Sequence, residues 1–272
     1  MKRNLLTTLA LMAAIPSHAS ISSIDDSEKE IVSANLFEHS MEPIEGIVPE
    51  NFYHIIGKAD NVDDLYAVEK DGDYLFTNRA GNTVFLAPIY DLVDKVDLME
   101  EAQLKVSLPL LGQLTQDDVI TYESTDEVTN GVMYVFSDPT CFYCVKLHDE
   151  IEEINAKGYE VRIIPFIRSL ENREAEPKIL DYIHVMGISD KKVQKEKYDA
   201  MIQSEDGLYG DDEFTEEGFK RISESYMLGV KSGLTGTPLI ITSGGNMHNG
   251  LITASQVEML FPESIQESDN TQ

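Results

Sequence analysis

Apolar residues recur along this chain with two different periods, and the change of period divides it. From Phe52 to Tyr90 they alternate with polar ones in the short runs FYHIIGK, LYAVEK, YLFTN and TVFLAPIY. Alternation marks half-buried strands. Lys70-Asp71-Gly72-Asp73 and Arg79-Ala80-Gly81-Asn82 separate these runs and have the composition of hairpin turns. The pattern predicts a small antiparallel meander. Before it, Ser20 to Leu36 carries Ile24, Glu28 and Ile31 at helical spacing and reads as a short polar helix, ended by the Pro and Gly of MEPIEGIVPE. A sheet this small buries little surface alone, and its edge strands are open to pairing. Residues 20–90 are therefore expected to form a dimerisation or docking module.

Residues 91–118 carry helix-like apolar spacing broken by Pro109 and Gly112. They are expected to form a linker helix with its acidic faces in solvent. The remainder, 119–272, reads differently. VMYVFSD is nearly continuous in apolar residues, as in a strand covered on both faces. CFYCVKLHDEIEEINAKG then has helical spacing through Val145, Leu147, Ile151 and Ile154, closed by Gly158. EVRIIPFIR follows as a second strand, completing a βαβ unit with parallel strands. Residues from about 169 to 231 are mostly helical, with loops at Gly187 and Glu205–Asp212. TGTPLIITSGGNMHNGLIT gives two strands about a Ser-Gly-Gly-Asn turn. SQVEMLF gives a short helix, capped by Ser255 with Glu258 three residues on. The order β–α–β, helices, β–β–α predicts an α+β or α/β chain whose second half has the thioredoxin arrangement with a helical insertion. The polar tail, Glu263–Gln272, is expected to fray.

Residues 1–19 change the setting. Lys2 and Arg3 precede an apolar run from Leu5 to Ile15, and Pro16, Ser17, His18 and Ala19 follow. This is the layout of a cleavable secretory signal peptide, with cleavage after Ala19, and it is too short for a membrane span. The net charge of the whole chain is −28. Losing Lys2 and Arg3 takes it to about −30. Such a surface repels nucleic acid and anionic lipid, so neither nucleic-acid binding nor stable membrane insertion is expected.

Export places the only two cysteines, Cys141 and Cys144, in an oxidising compartment. Zinc would need four ligands. One Cys pair with His39, His54, His184 and His248 scattered along the chain offers no such set. No metal and no cofactor is expected. An inert disulfide across a two-residue loop would add little stability. A working dithiol fits better. At a helix start, unpaired N–H groups and the helix dipole favour a thiolate at Cys141. Cys144, one turn on, can attack a mixed disulfide on Cys141 and release the substrate reduced. His148 is read as a solvated helical residue. Thr237-Pro238, just before a strand, stands where thioredoxin-like proteins carry a cis-proline. There Thr237 would offer its backbone to an extended substrate, which binds as an added strand.

VFSDPTCFYCVKLHDE, GVKSGLTGTP and GDYLFTNRAGNTVFLAPIYDLV together resemble the DsbC/DsbG family of periplasmic thiol:disulfide interchange proteins, over nearly the whole chain after residue 19. The resemblance implies a V-shaped homodimer joined through the N-terminal domains, with helical linkers carrying two thioredoxin domains that face an apolar cleft. It implies isomerisation of incorrect disulfides in misfolded exported proteins, chaperone activity, and a membrane reductase of the DsbD type that keeps the pair reduced. By motif position, Cys141 is the nucleophile, Cys144 the resolving thiol of a redox-active Cys141–Cys144 disulfide, and Thr237-Pro238 the cis-Pro pair. Phe142 and Tyr143 are expected to touch substrate. Tyr143 matches the family, whereas Phe142 replaces its usual Gly or Pro. The structural cysteine pair of DsbC is absent, so packing must hold the helical insert. The alternatives are a holdase chaperone without chemistry and a dedicated thiol reductant or oxidase for one client.

Overall fold

The computed structural model describes residues 21–39, 54–85, 88–168, 177–209 and 214–261. The segment 1–19, the stretch MEPIEGIVPE and the tail from Glu263 lie outside the described residues. The N-terminal part is a five-stranded antiparallel meander of β1 (Ile21–Ser22), β2 (His54–Ala59), β3 (Tyr66–Lys70), β4 (Asp73–Thr77) and β5 (Val84–Phe85), hydrogen-bonded in that order. Between β3 and β4, Lys70 pairs with Asp73 across Asp71 and Gly72, at φ 54° and 90°. This is the two-residue turn whose left-handed residues match strand twist. A Cβ on Gly72 would lie 2.3 Å from the Val230 carbonyl, so the turn packs closely against the thioredoxin half.

Two helices cover this sheet. Tyr66 and Val68 of β3 pack with Val32 of α1 (Asp26–His39), while Ala67, between them, packs with Leu98 and Ala102 of α2 (Leu98–Leu111). The small sheet therefore buries both faces within its own chain. Helix α1 starts later than its periodicity suggests, because Ile21 and Ser22 pair with Ala59 and Lys58. Asp25 caps the helix, accepting from Glu28 N at 2.9 Å. The buried position is Val32 rather than Ile31, which is 42% exposed.

A short hairpin not expected from the sequence, β6 (Tyr90–Asp91) with β7 (Val96–Asp97), leads into α2. Asp97 caps α2, its carboxylate accepting from Met99 N at 2.9 Å. Pro109 does not break this helix, which runs on to Leu111. So near the C-terminal end, the missing N–H forfeits one intrahelical bond. The acidic residues of α2 are not simply in solvent. Glu100 accepts from Met247 N at 3.3 Å and Glu101 from Ile21 N at 3.1 Å. Leu98 and Ala102 belong to the N-terminal core, whereas Leu104, Leu108 and Leu111 pack against the thioredoxin half.

That half is a five-stranded sheet in the order β12-β11-β9-β10-β8, built from β8 (Ile120–Tyr122), β9 (Gly131–Ser137), β10 (Tyr159–Pro165), β11 (Leu239–Thr242) and β12 (Met247–Asn249). Strands β9 and β10 are parallel and the other pairs antiparallel. Edge strand β8 has only three residues and left no alternation to read. Met133 and Val135 of β9 face a core shared with α3 (Phe142–Ala156), α4 (Pro177–Met186) and α5 (Lys191–Gln203). Phe136 faces a second core shared with α2 and α6 (Glu216–Lys231). Cover on both faces is why VMYVF is apolar throughout. Tyr182, Ile183, Tyr198, Met201, Ile202 and Ile222 tie the insert to the first core by packing. The last element is a 3-10 helix, Ala254–Leu260, capped by Thr253 rather than Ser255, with Gln256 Oε1 accepting from Thr253 N at 3.0 Å.

Candidate active site

Strand β9 ends at Ser137 and α3 begins at Phe142. The connection Asp138–Cys141 sets Cys141 at the N-cap of α3, with φ −90° and ψ 118°. Its N–H donates to Asp138 O at 3.0 Å, and its carbonyl accepts from Cys144 N at 3.0 Å and Val145 N at 3.1 Å. Both cysteines are free thiols and buried. The Thr237–Pro238 peptide, which joins α6 to β11, is cis. The Cys141 thiol donates to Thr237 O at 3.2 Å. Residues 96 positions apart thus meet at one sulfur. The Thr237 hydroxyl is buried and has no hydrogen-bond partner among the described residues. Phe142 and Tyr143 project outward, 65% and 55% exposed, with rings edge to face at 5.6 Å.

The two thiols are driven apart. Burial opposes ionisation of Cys141, but the Thr237 side chain beside it and the backbone N–H groups of Cys144 and Tyr143 outweigh it and hold this thiol below its ordinary range. The thiol's own donation to Thr237 O favours the protonated form and only partly offsets them. Burial pushes Cys144 up to about 12 despite the N–H of Asp138, which donates to its sulfur at 3.4 Å. The site thus sets one thiol that ionises readily beside one that keeps its proton.

Sequence reading missed several residues here. Asp138 is 1% exposed and braces the connection. Its carboxylate accepts from Thr140 N at 2.8 Å, Thr140 Oγ1 at 2.6 Å, Arg168 N at 2.9 Å and Arg168 Nε at 3.0 Å. Arg168 is held in its charged form first by Asp138. The acid is visible in SDPTC, but its partner lies 30 residues on, just past β10. His148 is not a solvated surface residue. Its Nε2 lies 3.0 Å from Asp199 Oδ1 and 3.1 Å from the Tyr122 hydroxyl, and its Nδ1 lies 3.3 Å from Gln203 Nε2. Tyr122 also donates to Asp199. Burial opposes the Asp199 charge, but the His148 and Tyr122 hydrogen bonds outweigh it and keep this carboxyl low. Among the described residues no group of three or more His, Cys, Asp or Glu side chains is placed to hold a metal ion.

Comparison with known proteins agrees with this geometry. The model of a thioredoxin-like domain family matches residues 115–263. The thiol:disulfide interchange protein DsbC of Haemophilus influenzae is 26% identical over 216 residues, 79% of this chain and 87% of the relative. That of Escherichia coli K12 is 28% identical over 189 residues, 70% of this chain and 73% of the relative. A linker-deletion mutant of Proteus mirabilis ScsC superposes on 61% of this chain and 86% of its own, with TM-score 0.48 and 18% identity. The chain belongs to the thioredoxin-like domain family, and the relatives it matches over most of its length are DsbC thiol:disulfide interchange proteins.

Proposed function

We propose that the chain acts in the periplasm as a homodimeric disulfide isomerase on misfolded exported proteins. The carrying observation is the split dithiol: a Cys141 thiol held low at the start of α3, facing the cis Thr237–Pro238 peptide, above a Cys144 thiol held high. Cys141 Sγ attacks a substrate disulfide, forming a mixed disulfide and expelling one substrate thiolate. In isomerisation a second substrate thiol then displaces Cys141. If none does, Cys144 loses its proton and attacks Cys141 Sγ, so that the Cys141–Cys144 disulfide forms and the substrate leaves reduced. An electron-donating membrane reductase of the DsbD type returns the pair to the dithiol. Thr237 and Pro238 hold an extended client segment by its backbone, and Phe142 and Tyr143 give it apolar cover.

Dimerisation is supported by the edge strand β5, where Val84 and Phe85 are exposed, and by the exposed Tyr90, Leu92 and Val93 of the neighbouring hairpin segment. An unpaired edge beside apolar side chains is a template for a second copy. A cleavable signal peptide at 1–19 accounts for export. Among the described residues no helix is long and apolar enough to cross a membrane. Refolding of scrambled ribonuclease tests the reading. Wild type should restore activity and Cys141→Ala should not; recovery that survives Cys141→Ala would leave a holdase without chemistry. Sedimentation should give a dimer. A monomer with a strongly reducing pair would instead indicate a dedicated reductant.

A further inference from the structure

Two buried tyrosines in the helical insert meet the active-site strand at a single residue. The Tyr182 hydroxyl, on α4, donates to Ser137 O at 3.4 Å. The Tyr198 hydroxyl, on α5, lies 3.2 Å from Ser137 Oγ. Both tyrosines are fully buried, with ring centroids 5.6 Å apart. Ser137 is itself buried, and Phe166 N also donates to its carbonyl at 3.0 Å. That carbonyl belongs to the same peptide unit as the Asp138 N–H, which points at Cys144 Sγ. A donor placed on a peptide carbonyl polarises the N–H on its other side, so the bonds reinforce one another. Hydroxyl to carbonyl, peptide N–H to sulfur therefore forms one continuous line from α4 to the buried thiol.

We propose that Tyr182 and Tyr198 are positioning residues for Cys144, clamping Ser137 so that the Asp138 N–H is aimed at the Cys144 sulfur when that thiol ionises to resolve a mixed disulfide. The inference rests on the reading of Cys144 as the resolving thiol. No other donor to the Cys144 sulfur is placed as directly among the described hydrogen bonds. Cys144 is buried, so its anion depends on such a donor more than an exposed thiolate would. In the step concerned, Cys144 gives up its proton and attacks Cys141 Sγ. The bond between Cys141 and the substrate sulfur breaks, and the substrate leaves as a thiolate that takes a proton. Without the clamp the N–H is freer to turn from the sulfur, and this step slows. Attack by Cys141, whose thiolate is favoured by the Thr237 side chain and the backbone N–H groups of Cys144 and Tyr143, is not affected.

A single-turnover experiment on the full chain tests this. Reduced protein is mixed with a disulfide-linked model peptide, quenched by acid and alkylated, and the mixed disulfide is followed by mass spectrometry. Its formation reports Cys141 and its decay reports Cys144. The double variant Tyr182→Phe/Tyr198→Phe keeps the rings and removes both hydroxyls. Decay should slow about threefold to tenfold, the effect of one modest hydrogen bond, and its pH profile should move upward, while formation stays within about twofold. Unchanged decay in a folded double variant overturns the proposal, as does equal slowing of both phases with an unmoved pH profile. Cys144→Ser runs alongside; if its mixed disulfide decays as fast as in wild type, the resolving role of Cys144 fails, independently of the clamp. Should the double variant not fold, Ser137→Ala, which removes only the Tyr198 leg, decides between slowed and unchanged decay.

Discussion

Phe142→Gly separates client binding from thiol chemistry. Phe142 is the first residue of α3, next to Cys141, and is 65% exposed. A phenylalanine buries ~150–250 Å² when fully covered, so roughly 130 Å² is open to a client here. At about 25 cal/mol per Å², covering half to all of it gives ~1.5–3 kcal/mol. That is about tenfold or more in Kd. The edge contact with Tyr143, at 5.6 Å, and the approach of Lys146 Nζ to 5.9 Å from the ring centre are lost as well. The thiol should notice little. The groups that hold Cys141 low are Thr237 and the backbone N–H groups of Cys144 and Tyr143, none of which is the Phe142 side chain. Binding of a cysteine-free unfolded peptide, followed by fluorescence anisotropy, should weaken about tenfold, while alkylation of Cys141 by iodoacetamide changes by less than about twofold. The reverse outcome, intact binding with a severalfold change in alkylation, would refute the reasoning and make Phe142 a determinant of redox poise.

Four further outcomes follow from the same geometry. In a pH series, alkylation of Cys141 should rise at a pH below that of an ordinary thiol, whereas Cys144, pushed up to about 12, should stay unreactive until strongly alkaline conditions. Because Cys144 keeps its proton better folded than unfolded, its contribution to the stability of the reduced protein is whole below the ordinary thiol range and is lost as pH rises toward about 12; urea melts at increasing pH measure this. Burial, helped by Asp97, raises Glu100 against the N–H of Met247, so its contribution is whole below the ordinary carboxylate range and lost above it. Glu100→Gln should therefore match wild type in melting temperature near pH 4 and exceed it at pH 7, and a lower Tm at pH 7 would count against the assignment. Gly72→Ala must force a left-handed φ of 90° and a Cβ 2.3 Å from the Val230 carbonyl; it should cost about 1–3 kcal/mol in thermal unfolding, with the dithiol chemistry retained.

The sequence by itself determined the parts of this protein whose cause is local. Alternation from β2 to β4 follows from half-buried strands, Asp71-Gly72 from a turn needing left-handed φ, and the continuous apolar run of β9 from helices on both faces. The dithiol was legible for the same reason. Two cysteines one helical turn apart at a strand-to-helix junction carry their chemistry in their spacing, and Thr237-Pro238 marks a second backbone position before β11. Tertiary structure decided what depends on partners distant in sequence. Pro109 suggested a broken helix, but packing on both halves carries α2 through to Leu111. His148 stood among helical polar residues, and only α5 and β8 supply its Asp199 and Tyr122. Asp138 was visible in the motif, while its partner Arg168 lies beyond the next strand. The difference between the two thiols is likewise tertiary. Spacing makes them a pair, but burial and the backbone N–H groups that each sulfur meets decide which of them ionises first.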